Sequence, residues 1–87
     1  MKEQRTIKEL LQLMLEHQGL FRDGLCYWAR SLYYTDKITF EEHSALYKYI
    51  NENRPKNLSW FFRSAYYWKY GNIKPRINWI KKHIARL

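Results

Sequence analysis

After Glu52 the sequence contains no aspartate or glutamate, although nine Lys and Arg residues follow: Arg54, Lys56, Arg63, Lys69, Lys74, Arg76, Lys81, Lys82 and Arg86. The missing acid makes the charge one-sided. Residues 1 to 52 carry seven basic and eight acidic side chains, so the net charge of +8 belongs to the C-terminal part. Such a region attracts phosphates or an acidic surface. Cysteine is nearly absent as well: Cys26 alone excludes an intrachain disulfide, offers no zinc-ligand spacing and fits a reducing compartment. No stretch approaches the roughly eighteen apolar residues of a membrane span, and the start, M-K-E-Q-R-T-I-K-E-L, has no apolar run leading to a cleavage site. These absences predict a cytoplasmic protein with no membrane partner, no metal and no cofactor.

Aromatic residues, by contrast, are abundant, with four Trp, eight Tyr and four Phe in 87 residues. A domain this short buries a limited share of its surface, so large rings supply burial either in its own core or against a second subunit. A homo-oligomer is expected on this ground. The apolar spacing is helical throughout and predicts an all-α fold, a compact bundle of about five short helices over 7–18, 24–34, 40–52, 59–70 and 75–86, in a single domain spanning 1–87.

Thr6 with Glu9 and Thr39 with Glu42 are capping-box pairs that open the first and third helices, with Ile38 placed as a staple residue. Ile7, Leu10, Leu11 and Met14 form the first apolar face, and Gly19 is expected as its left-handed stop. Leu25, Trp28, Ala29 and Leu32 form the second, with Cys26 and Tyr33 flanking it; His43, Leu46, Tyr47 and Ile50 form the third, ended by Asn53 and Pro55. The stretch W-F-F-R-S-A-Y-Y-W-K-Y from Trp60 to Tyr70 reads better as a helix than as a strand, which would lack a partner strand. It then places Phe61, Ala65 and Trp68 toward a core, and Phe62, Tyr66 and Tyr70 beside Arg63 and Lys69. Pro75 suits the first position of the last helix, whose buried face is expected to be Ile77, Ile80, Ile84 and Leu87.

The candidate binding residues follow from that last helix. Lys74 precedes Pro75 where a capping residue would stand, and it cannot accept a hydrogen bond, so the amides of Arg76 and Ile77, unless Asn72 bends back to them, are expected to take either an anion such as a phosphate, or water or a carboxylate from the first or third helix. Trp79 and His83 fall together at the edge of the apolar face, suited either to stacking on a base or to packing. The candidate ligand-binding set is Arg63, Tyr66, Lys69, Tyr70, Lys74, Arg76, Trp79 and His83. No catalytic residue is assigned. His17, His43 and His83 lie on separate helices, and no nucleophile elbow, Gly-rich phosphate loop or paired carboxylate appears, so the chain reads as a non-enzyme.

The segments G-L-C-Y-W, I-T-F-E-E, Y-I-N-E-N-R-P and W-K-Y-G-N-I-K-P-R-I-N-W-I-K-K-H-I resemble a group of small, mostly uncharacterised bacteriophage proteins with a similar C-terminal aromatic-Gly-Lys-Pro-Arg-Ile-x-Trp pattern. The likeness runs from Gly24 onward, and its specificity rests on Trp68 to Ile84. It implies a phage origin and the cytoplasm of an infected bacterium, with no enzymatic activity to carry over. One class of small phage proteins sequesters nucleotide signals made by host immunity. Combined with the aromatic and basic residues, that suggests a nucleotide sponge for a phosphorylated ligand. The alternatives are a nucleic-acid-binding module and a basic inhibitor of a host protein.

Overall fold

Each Thr-x-x-Glu box closes as its spacing predicts. The Glu9 amide donates to Thr6 Oγ1 at 3.2 Å and the Thr6 amide to Glu9 Oε1 at 2.8 Å. At the second box the Glu42 amide donates to Thr39 Oγ1 at 3.1 Å and the Thr39 amide to Glu42 Oε1 at 2.9 Å. Four amides at two helix starts thereby gain acceptors. The computed structural model describes residues 4–22, 24–53 and 73–87, and within them the fold is an all-α bundle. Its elements are α1 (Ile7–Glu16), a short 3-10 turn (Gln18–Leu20), α2 (Leu25–Tyr34), α3 (Phe40–Glu52) and α4 (Ile73–Arg86). Four α-helices are thus described where about five were expected. The predicted helix over 59–70 lies outside the described residues.

The core joins one stripe from each helix: Leu10, Leu11 and Met14; Leu25, Trp28, Ala29 and Leu32; Leu46 and Ile50; Trp79 and Ile80, with Ile38 sealing the turn before α3. Trp28 sits at the centre with no exposed surface. Its indole Nε1 donates to the His17 carbonyl at 3.1 Å, and Phe21 meets it edge-on at 5.4 Å, so the largest core side chain leaves no donor unsatisfied. α1 packs against α2, α3 and α4, which makes it the common support of the bundle.

Glu42 does more than cap. Its side chain is 3 % exposed, and it also accepts from the Arg5 amide at 2.8 Å and from Arg5 Nη1 at 2.9 Å. The segment before α1 is therefore tied to the first turn of α3. Burial pushes the Glu42 carboxyl upward, but the Thr39 and Arg5 amides and the Arg5 charge outweigh it and hold it below its ordinary value.

Three helix ends depart from expectation. α1 stops at Glu16, where the His17 amide donates to the Leu13 and Met14 carbonyls, and Gly19 then lies inside the 3-10 turn without a positive φ. Asn53 caps α3 at φ −115°, ψ 20°, and is not left-handed; its side-chain Nδ2 and its amide both donate to the Tyr49 carbonyl. The left-handed stop occurs instead after α2, at Asp36 with φ 62°. There the Lys37 amide reaches the Leu32 carbonyl at 2.9 Å and the Asp36 amide reaches Tyr33 at 3.0 Å, which is the Schellman pattern with Asp in the glycine position. Gly24, at φ 158°, ψ 178°, precedes α2 in a conformation that side-chain-bearing residues rarely adopt.

Two stability measurements test this account. Gly19→Ala should stabilise by about 0.4–1 kcal/mol in urea unfolding, because no atom lies within 4 Å of the added Cβ and the unfolded chain loses freedom; a left-handed stop at Gly19 would give the opposite sign. Glu42→Gln should cost about 2 kcal/mol at neutral pH, since charge-assisted hydrogen bonds are lost. Because the folded carboxyl is held low, the stabilisation it confers is complete above the unfolded carboxyl range and disappears as pH falls through its folded value. The difference between wild type and Glu42→Gln should therefore shrink in acid.

Candidate functional site

α4 presents two unlike faces. Inward it buries Arg76, Trp79, Ile80 and His83; outward it exposes Lys74, Asn78, Lys81, Lys82, Ala85 and Arg86. The expected apolar face is thereby rotated. Ile77 and Ile84 are only half-buried and Leu87 is 52 % exposed, because the indole of Trp79 takes the inner position and carries Arg76 and His83 in with it.

Of the eight candidate residues, the structure brings Arg76, Trp79 and His83 together, on one side of a single helix. Trp79 Nε1 donates to the Asn53 carbonyl at 3.2 Å, so the end of α3 fixes the ring. The Trp79 and His83 rings lie 4.1 Å apart at 31°, and Tyr49 meets both obliquely, at 6.2 Å and 5.5 Å. Trp79 and His83 thus pack against each other and are 7 % and 6 % exposed, so the pair expected at the edge of the apolar face lies within it. Tyr49 and Asn53 had no sequence signal for this role beyond lying on a helix flank. Lys74 is exposed on the other side. Arg63, Tyr66, Lys69 and Tyr70 lie outside the described residues.

The expected anion site at the amides of Arg76 and Ile77 also changes. α4 already includes Ile73, so in helical geometry the Ile77 amide bonds back to the Ile73 carbonyl. Pro75 stands in the first turn, where its missing N–H costs little. What survives at this end is charge: Arg76 is 5 % exposed, and burial pushes its guanidinium down to about 10, still a cation at neutral pH.

Burial, reinforced by the charges of Arg86 and Lys82, lowers the His83 pKa. A neutral imidazole that carries its proton on Nε2 accepts at Nδ1, and the Tyr49 hydroxyl, 2.6 Å away, is placed to donate to it. The outer face of α4 needs no such balance. Lys74, Lys81, Lys82 and Arg86 stand in solvent on a helix with no acidic residue and spread over its exposed arc as a broad cationic face.

Among the described residues no group of three His, Cys, Asp or Glu side chains is placed to hold a metal, and no helix is long and apolar enough to cross a membrane. No family model, curated protein or solved structure matches the chain. Function must therefore be argued from these faces.

Tyr49→Phe should cost about 1–2 kcal/mol by leaving His83 Nδ1 buried without a donor. His43 and His83 both have folded pKa values depressed by burial. The stability they confer is complete above an unfolded histidine pKa of about 6.5 and falls as pH drops toward the folded values. Urea midpoints should decline as pH falls below about 6.5, above the window in which Glu42 titrates.

Proposed function

We propose that the protein is a non-catalytic binder of phosphate-rich partners that lays the outer face of α4 along a nucleic-acid backbone. The observation that carries this reading is the exposed cationic face of Lys74, Lys81, Lys82 and Arg86 on a helix without a carboxylate. Cations spread over about three turns of helix suit a repeating phosphate backbone, whereas a small ligand needs its contacts gathered at one point. Each phosphate neutralised releases counterions, so four contacts give a slope of log affinity against log salt of about −3 to −4 on duplex DNA. With all four cations assigned to phosphate contacts, which carry no sequence information, the binding is expected to be tolerant of sequence.

A second reading keeps the ligand small: a phosphorylated nucleotide, sequestered intact, such as an immune signal in a phage-infected bacterium. Arg76 bears on it, as a cation on the same buried face of α4 as the Trp79–His83 ring pair, a charge that a phosphate complements. The resemblance to small phage proteins supports the same setting.

One set of titrations separates the two readings. Anisotropy with a labelled 20-base-pair duplex should show salt-sensitive binding, and Lys81→Ala or Lys82→Ala should each reduce the salt slope by about one. Binding that is absent at low salt, or unchanged when Lys74, Lys81, Lys82 and Arg86 are all replaced by Ala, rejects the backbone reading. A panel of cyclic nucleotides and ADP-ribose derivatives should then produce a thermal shift lost in Arg76→Lys if the small-ligand reading holds. No shift from any of them rejects it.

A further inference from the structure

Among the described residues, the most exposed rings lie away from α4. Tyr27, Tyr34, Phe40 and Tyr47 are 53 %, 71 %, 59 % and 37 % exposed, and all belong to the outer flanks of α2 and α3. They belong to one surface, because Tyr33 touches Tyr34, Phe40 and His43 at 5.7, 5.8 and 5.4 Å, and His43 touches Tyr47 at 5.9 Å. Arg30 lies over the Tyr27 ring at 5.3 Å and is close enough to His43 to lower its pKa, after burial. Exposed apolar patches of this kind mark interaction sites, and Tyr, Phe and Arg are among the residues that concentrate at them.

At the centre of the patch is an unusual group. Both ring nitrogens of His43 are buried and have no hydrogen-bond partner, and they are the only such side-chain atoms among the described residues. A neutral imidazole has one N–H, and leaving it buried and unpaired costs about 1–3 kcal/mol. The isolated chain thus holds an unmet donor beneath rings that are themselves half in solvent.

We propose that this α2–α3 flank is the interface of a two-fold homodimer. The charges admit a second copy as the occupant, and the patch's own chemistry favours it. The patch lies in the part of the sequence whose seven basic and eight acidic side chains nearly cancel, while α4, in the part with no acid, packs on α1 and meets the opposite, Tyr49 flank of α3. Two chains of net charge +8 can therefore meet at this flank without bringing their α4 cationic faces together. The patch is also self-complementary, as an isologous contact requires: it offers the Arg30 cation together with ring faces that attract one. This inference does not depend on what α4 binds.

Sedimentation equilibrium over a range of concentrations tests it, with circular dichroism to show that each variant keeps its helices. Wild type should show a monomer–dimer equilibrium. Phe40→Lys and Tyr34→Lys, at exposed positions, should each raise the dissociation constant by about tenfold or more, as loss of a central aromatic contact does. Lys81→Glu, on the outer face of α4, should not weaken the dimer. A chain that stays monomeric up to about 1 mM, a dimer indifferent to both patch variants, or one that Lys81→Glu weakens equally would each overturn the proposal.

Discussion

The Glu42 carboxylate joins two parts of the chain that would otherwise begin independently. One oxygen completes the cap of α3 while the pair together holds the backbone and side chain of Arg5, just ahead of the α1 cap at Thr6. The two helix starts are thereby placed side by side. α1 is the helix that touches α2, α3 and α4, so its position decides how the remaining core stripes meet. A carboxylate with so little exposed surface would be costly unless it were paired, and here every contact that compensates for its desolvation also fixes geometry.

Much of this was readable in the residues. A Thr-x-x-Glu box needs only local chain geometry, and both boxes form; the stripe Leu25, Trp28, Ala29 and Leu32 has one consistent helical period, and all four are buried. The failures share a cause, which is that a residue's preference was taken without its surroundings. Gly19 can adopt a left-handed turn, but α1 had already stopped at Glu16, and Asp36 took that conformation after α2 because two carbonyls were within reach of the following amides. The third helix shows the same limit. His43 and Tyr47 were grouped with Leu46 and Ile50, yet the helix turns Glu42, Leu46 and Ile50 inward and leaves Tyr47 at the edge.

Spacing within α4 placed Arg76, Trp79 and His83 on one arc, and they do share one face, but as an inward group, since the carbonyl of Asn53 and the hydroxyl of Tyr49 give the indole and imidazole partners that such spacing could not reveal. The exposed cations were visible as composition, and their gathering on one broad face required only the helix. The α2–α3 aromatic surface had the weakest signal, because Tyr33, Tyr34, Phe40 and Tyr47 are separated by a turn whose course is set by Asp36.

The two faces impose different requirements, and the fold meets them by separating them. A cationic face intended for phosphates gains from low acidity nearby and from solvent access, whereas an aromatic contact between like-charged chains gains from local neutrality. α3 stands between the two, with Tyr49 and Asn53 on the flank that holds Trp79, and His43 and Tyr47 on the flank that carries the exposed rings. In a two-fold pair joined at that second flank, each α4 would stay on the far side of its own subunit. The separation between the cationic faces would then be set by the thickness of the bundles, and a partner long enough to reach both would bind with the added strength of two linked contacts.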